Sequence, residues 1–227
     1  DIFIKGLKSL FKMGISKKIA IILLGRPGSG KDTQAELLAK KFGLVHIISS
    51  KLIEKALDSS KKNIKIGNQI YSIKKEHELQ KSGALNTFVF VAALIKNEII
   101  KIARSKKGLI MSASPRSKTE LKLELPLLKK LYGNNVFFIH VWISPKEVYV
   151  RNLKRHRKDL PELDTRKVID KRLKMFNKYT LPVIKLLEKN KKIIKINGEQ
   201  SIMKIHKDIL MSLPSANNEF DTNKRMK

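Results

Sequence analysis

Apolar residues in this chain gather into short β-branched runs, and between the runs they recur every three or four positions. Lys18 to Leu24 is such a run, predicting a buried parallel strand that ends at Gly25. From Lys31 to Phe42 the apolar positions Ala35, Leu38, Ala39 and Phe42 keep helical spacing, and Gly43 predicts the stop. "LVHIIS", "GLIMSAS", "NNVFFIHVWIS" and "KKIIKING" predict further strands. Helical spacing recurs near Thr87 to Arg104, Ser117 to Leu131, Pro145 to Arg155, Arg166 to Glu188 and Ser201 to Leu213. This alternation predicts an α/β fold: a three-layer, doubly wound parallel sheet of about five strands. Ligands of such sheets bind beyond the carboxyl ends of the strands, here the loops after Leu24, Ile48, Ser112 and Ile143.

Composition narrows the picture. A chain of 227 residues without a break in composition suits one α/β core, expected over 18–214, with a basic arm at 1–17 and a polar tail at 215–227. There is no cysteine, which excludes disulfides and thiolate metal sites and fits a reducing compartment. The apolar runs are too short to span a bilayer, so a soluble intracellular protein of the cytoplasm or mitochondrial matrix is expected. Lys and Arg number 49 against 20 Asp and Glu, a formal charge of +29. A field of that sign attracts polyanions, making RNA or a ribosomal particle a candidate partner beside the plainer reading of a solvated lysine surface.

The chemistry-bearing motif is "GRPGSGK", which fits G-x-x-x-x-G-K between a predicted strand and a predicted helix. Gly25, Gly28 and Gly30 let backbone N–H groups turn inward around a phosphate, Lys31 reaches the outer phosphates, and the helix adds its positive end. Asp32 stands where a hydroxyl usually follows the lysine, and Thr33 offers the hydroxyl one place later, as a candidate Mg²⁺ ligand. The five histidines show no metal-ligand spacing. His46 at a strand end, His77 in a polar helix, His140 inside an apolar strand, and His156 and His206 in basic helices are read as structural or solvated.

The stretch "GRPGSGKDTQ" resembles the phosphate loop of the adenylate kinase and nucleoside monophosphate kinase family, commonly G-x-P-G-S-G-K-G-T-Q. Similarity continues through "SPRSKTE", "VRNLKRHR", "IDKRL" and "KINGEQSIMKIHKDIL", over most of Ile19 to Leu210. The resemblance implies a small monophosphate-binding insertion at 48–88, a short lid at 151–165 without zinc, and phosphoryl transfer from ATP to a nucleoside monophosphate such as AMP, with Mg²⁺. It implies nucleotide binding by Gly25, Gly28, Ser29, Gly30, Lys31, Asp32, Thr33 and Arg151. Catalytic cations would be Lys31, Arg116, Arg155 and Arg172, and Ser49, Arg116 and Glu120 would face the monophosphate. Several cations and a water-excluding lid are what this transfer requires.

The chain also departs from the family at specific positions. Glu54 replaces the arginine that grips the monophosphate, Ser112 replaces the aspartate that helps to order Mg²⁺, and Glu120 replaces the glutamine that reads the base. "LNT" at Leu85 to Thr87 stands for L-V-P, and the second lid arginine aligns either with Pro161 or, through a gap, within Arg157 to Asp159. Asp32 replaces a glycine, and three outcomes are open for its carboxylate: repelling the ligand, binding Mg²⁺, or turning into solvent. Two functional expectations follow: an active monophosphate kinase, or a catalytically degenerate kinase fold serving as an RNA- or ribosome-associated subunit.

Overall fold

The computed structural model describes residues 19–58, 61–81, 84–154 and 165–213. The expected arm and tail, and most of the expected lid, including Arg155, Arg157, Asp159 and Pro161, lie outside these residues. The centre of the fold is β1 (Ala20–Leu24), all five residues of which are buried. A strand apolar on both faces needs hydrogen-bonded neighbours on both edges and cover on both sides. β1 pairs in parallel with β5 (Leu109–Ser112) and with β6 (Val136–Trp142). β2 (Val45–Ile48) joins beside β5 and β7 (Ile193–Asn197) beside β6, completing a five-stranded sheet of order β2-β5-β1-β6-β7.

The two-residue period of β1 divides the core. Ile19, Ile21 and Leu23 face one layer, packing with Ala35 and Leu38 of α1 (Lys31–Phe42) and Ile205 and Ile209 of α9 (Ile202–Ser212). Ala20, Ile22 and Leu24 face the other, against Phe90, Ile95 and Ile99 of α4 (Phe88–Arg104), Leu128 of α5 (Lys118–Tyr132) and Val183 and Leu187 of α8 (Leu181–Lys189). α1 ends where the sequence predicts, because Gly43 at φ 63° turns its N–H back to the Ala39 carbonyl.

Between β2 and α4 the chain forms α2 (Ser49–Leu57), a hairpin of β3 (Asn63–Ile66) and β4 (Gln69–Ser72), and α3 (Ile73–Lys81). The polar helix expected around His77 is α3, whereas the sequence reading assigns neither α2 nor the hairpin, although Ile64 and Ile66 alternate with polar residues before a Gly67–Asn68 turn, a local hairpin signal. After β6 come α6 (Pro145–Lys154) and α7 (Arg166–Met175). The single helix expected over Arg166 to Glu188 is interrupted by a wide π-type turn, Phe176–Thr180, before α8. Pro182 has no N–H to return to the preceding turn, which accounts for the widening at that place.

Helix α5 carries the same constraint without a break. Ser117 caps it, its hydroxyl accepting the Glu120 N–H at 3.1 Å, but exposed Pro126 lies in its interior and withholds the N–H that would bond the Lys122 carbonyl. Replacing Pro126→Ala is expected to stabilise the fold by roughly 1–2 kcal/mol, seen as a higher urea midpoint at unchanged m value. An unchanged or lower midpoint would show that ring packing offsets the lost bond.

Candidate active site

The phosphate loop follows β1 at the centre of the sheet, and its glycines are required for two different reasons. Gly28 and Gly30 adopt left-handed φ of 80° and 85°. Gly25 is required by space: a Cβ there would lie 2.5 Å from the Val141 carbonyl oxygen. Arg26 anchors the loop, donating from Nη1 to the Ile143 carbonyl at 2.6 Å and lying over the Phe176 ring. From α6, Asn152 donates to the Pro27 carbonyl at 3.3 Å. Arg151 spans the rim, donating to Gly198 at 2.7 Å, to Glu147 at 2.6 Å and to the Gly28 carbonyl at 3.5 Å. The Ser29 hydroxyl is fully buried in this loop with no hydrogen-bond partner in the protein. Buried hydroxyls are ordinarily paired, so the atom fits a loop built around a phosphate oxygen.

Lys31 is only 8% exposed, and burial lowers its pKa against the opposing charge of Asp32. Asp32 Oδ2 lies 3.3 Å from Lys31 Nζ, and its carboxylate shares the cavity with the Ser112 hydroxyl at the end of β5. Burial alone would raise the Asp32 pKa, but Lys31 and the Ser112 hydroxyl outweigh it and hold the group below the usual carboxylate range. His46 Nε2 stands 3.1 Å from the same Ser112 hydroxyl, and burial lowers its pKa, leaving it neutral near pH 7. With its proton on Nε2, His46 donates to the Ser112 hydroxyl. The Asp32 side chain is 58% exposed, yet it lines the cavity beside Lys31, so of the three outcomes turning away from the loop is not the one observed.

Arg116 follows β5 through Ala113, at φ 68°, and a cis Ser114–Pro115 bond. Its backbone N–H donates to Glu120 Oε2 at 2.7 Å, its Nε to the Ala113 carbonyl at 2.8 Å, and its carbonyl accepts the Thr180 hydroxyl at 3.1 Å. Behind it, the Ser114 hydroxyl lies 3.1 Å from both Glu120 Oε2 and Glu124 Oε1, in a site where both carboxyls are almost wholly buried. Burial, with the charge of Glu120 next, pushes the Glu124 pKa well above its ordinary value. A protonated Glu124 donates to Ser114, which donates to Glu120, whose carboxylate receives the Arg116 N–H.

Two neighbouring cavities open at this end of the sheet. The larger, about 550 Å³, is lined among others by Lys31, Asp32, Ser112, Arg116, Arg172 and Phe176. The smaller, about 150 Å³, is lined by Ser49, Ser50, Gln80, Phe88, Arg116 and Glu120, with others from α2 to α4. Ser49, Ser50, Leu85 and Arg116 border both.

The profile of the adenylate kinase family matches residues 23–192. The chain belongs to the adenylate kinase family. It is 29% identical over 195 residues to "Adenylate kinase 1" of Nostoc sp., covering 86% of this chain and 98% of that one. It is 25% identical over 199 residues to human "Adenylate kinase isoenzyme 1", covering 88% and 96%. Human "Adenylate kinase isoenzyme 5" is 30% identical over 189 residues, 83% of this chain and 31% of that longer protein.

Against the family pattern, the departures of this adenylate kinase relative are arranged as follows. Ser112 and Asp32 border the same cavity, and the Ser112 hydroxyl helps to hold the Asp32 pKa down, so the carboxylate missing from β5 has a counterpart beside the same place from α1. Glu54 is exposed and lines neither cavity, as does half-buried Thr33, whereas Glu120 borders the smaller cavity. No cluster of three or more His, Cys, Asp or Glu able to hold a metal occurs among the described residues. A divalent ion here would rest on Asp32, completing its shell from phosphate oxygens and water, as Mg²⁺ commonly does. His46, Glu124 and Asn152 complete the site without any local sequence signal, because only the tertiary packing brings them to the loop and to Arg116.

The Glu124 carboxyl links stability to pH. A raised folded-state pKa contributes stability fully present below the ordinary value of 4.5 and lost as pH rises through the folded value. Glu124→Gln keeps a donor to Ser114 and removes that loss. The difference in urea-unfolding free energy, variant minus wild type, is expected to move in favour of the variant by on the order of 1 kcal/mol between about pH 5 and pH 8. A difference that stays flat would mean that Glu124 is ionised in the folded protein.

Proposed function

We propose that this protein is a nucleoside monophosphate kinase that transfers the γ-phosphoryl group of ATP to a monophosphate such as AMP. The observation that carries the reading is Arg116, a cation bordering both cavities, one on the phosphate loop and one between α2 and α4. A phosphoryl group passing between two nucleotides needs a fixed positive charge where donor and acceptor meet. The bonds that Arg116 makes to Ala113, Glu120 and Thr180 hold it there.

In this reading the ATP phosphates lie in the loop of Gly25, Gly28, Ser29 and Gly30, with the Ser29 hydroxyl and Lys31 as donors. Arg172 faces the same cavity and adds positive charge beside the migrating group, and Arg151 fixes the rim. Arg155, outside the described residues, keeps the role that the family resemblance implies for it, and Ser49 and Glu120, which border the smaller cavity, face the monophosphate. Bound Mg²⁺ would neutralise phosphate charge, and Asp32, not Thr33, is the side chain that would hold it. The carboxylate expected on β5 is thereby supplied from the first turn of α1.

A coupled assay for ADP formation tests the reaction, with AMP run alongside GMP, CMP and UMP. Turnover with at least one acceptor, reduced a hundredfold or more by Lys31→Ala, is the expected result. Turnover no greater than that of the Lys31→Ala protein would sink the transfer reading, while ATP binding measured by calorimetry would separately report a loop that binds without reacting. For Asp32→Asn, calorimetry with Mg²⁺ and with a chelator is expected to give nearly equal ATP affinities. A Mg²⁺ enhancement as large as that of wild type would remove Asp32 from the metal's shell.

A further inference from the structure

The parallel sheet gives the molecule two unlike ends, and the second end bears its own pattern. Each helix that returns the chain to the sheet finishes at the edge where the strands begin, opposite the phosphate loop. Four such returns, residues 40–44, 101–108, 129–135 and 189–192, lead into β2, β5, β6 and β7. Together they hold eleven Lys and Arg and no Asp or Glu. All eleven side chains are exposed. Backbone bonds join neighbouring returns: Val45 N–H donates to Gly108 and Ala20 N–H to Asn135, while Tyr132 donates its hydroxyl to the Lys107 carbonyl.

Helix C-termini favour cations, which explains a basic residue or two in each last turn, such as Lys40, Lys41, Lys129 and Lys130. It does not explain Lys106, Lys107, Lys191 and Lys192, which lie past the helix ends. Lys106 and Lys191 moreover hold left-handed φ of 58° and 51°, positions that glycine or asparagine fill without strain. Positive charge is placed there against the backbone preference. Within the four segments no large apolar side chain is exposed, and Tyr132 is buried, so the surface offers neither a bilayer wedge nor a stacking platform for single-stranded bases.

We infer that this edge of the domain binds the phosphate backbone of a nucleic-acid duplex, independently of the nucleotide site at the other end. Contacts from lysines beyond helix ends would read charge and backbone spacing, with no base readout.

The test uses fluorescence anisotropy of the full chain with a 20-base-pair RNA duplex and a DNA duplex of the same sequence, at about 50 and 200 mM salt. Affinity is expected to fall at least tenfold over that range. The variant Lys106→Gln, Lys107→Gln, Lys191→Gln, Lys192→Gln is expected to bind at least tenfold more weakly, with a shallower salt dependence and unchanged ATP affinity. A matched variant, Lys65→Gln, Lys74→Gln, Lys75→Gln, Lys81→Gln, removes the same charge from the β3–α3 region and should bind as wild type. Equal weakening by both variants would overturn the inference in favour of diffuse charge, as would wild type binding phosphatidylserine vesicles but neither duplex. Preference for RNA over DNA, or equal binding, assigns the source of the backbone and supports the site in either case.

Discussion

The constraint on which the structure depends is the burial of β1. A strand without exposure on either face cannot leave its backbone polar groups to water, so it must be hydrogen-bonded on both edges. β5 and β6 satisfy it on either side, and helices close both faces. The loop after Leu24 therefore emerges at the middle of the sheet, between the ends of the strands that carry Ser112 and Ile143. Gly25 cannot bear a side chain because the Val141 carbonyl is already there. Phosphate-loop geometry and sheet packing are in that sense one requirement.

The same topology separates the charges. Side chains at the carboxyl ends of the strands converge on the two cavities, and there each cation has a defined setting: Lys31 beside Asp32, Arg116 on Glu120 and Ala113, Arg151 on Glu147 and Gly198. At the opposite edge the basic residues are exposed and the four segments that carry them hold no carboxylate of their own, the nearest ion pair being Lys101 with Glu98 at 3.7 Å. Much of the charge that dominates the composition is thus unrelated to the cavities, which need few cations in fixed places.

The five-stranded order of elements was legible in the sequence because each core strand is a short apolar run closed by a polar or glycine-containing turn. The region from Ser49 to Lys81 was less so, since its two strands are four residues each and mostly exposed, and alternation over four residues is a weak signal. The split at Phe176–Thr180 was hidden because apolar periodicity continues through it, and Pro182 is the single residue that marks it. At the site, residues belonging to the local motif were legible, from Gly25 to Lys31. His46 and Glu124 were not, because they reach Ser112 and Ser114 across strand and helix neighbours far away in sequence.

Asp32 shows why a local departure needs its surroundings. In the sequence it is a negative charge beside the lysine of an anion site, and Coulomb's law at that distance opposes a phosphate. In the fold, Lys31 is so nearly buried that desolvation works against its charge, and Asp32 is the leading opposing influence. The carboxylate favours the charged ammonium against that burial, and the Ser112 hydroxyl, with His46 behind it, borders the same cavity. In the proposed function a phosphate in the loop would take the place of Asp32 as the counter-charge of Lys31, and a divalent ion would offset the repulsion between phosphate and carboxylate. The residue that looks like an obstacle to phosphate in the sequence is, in its setting, compatible with a loop that alternates between an internal counter-ion and a ligand.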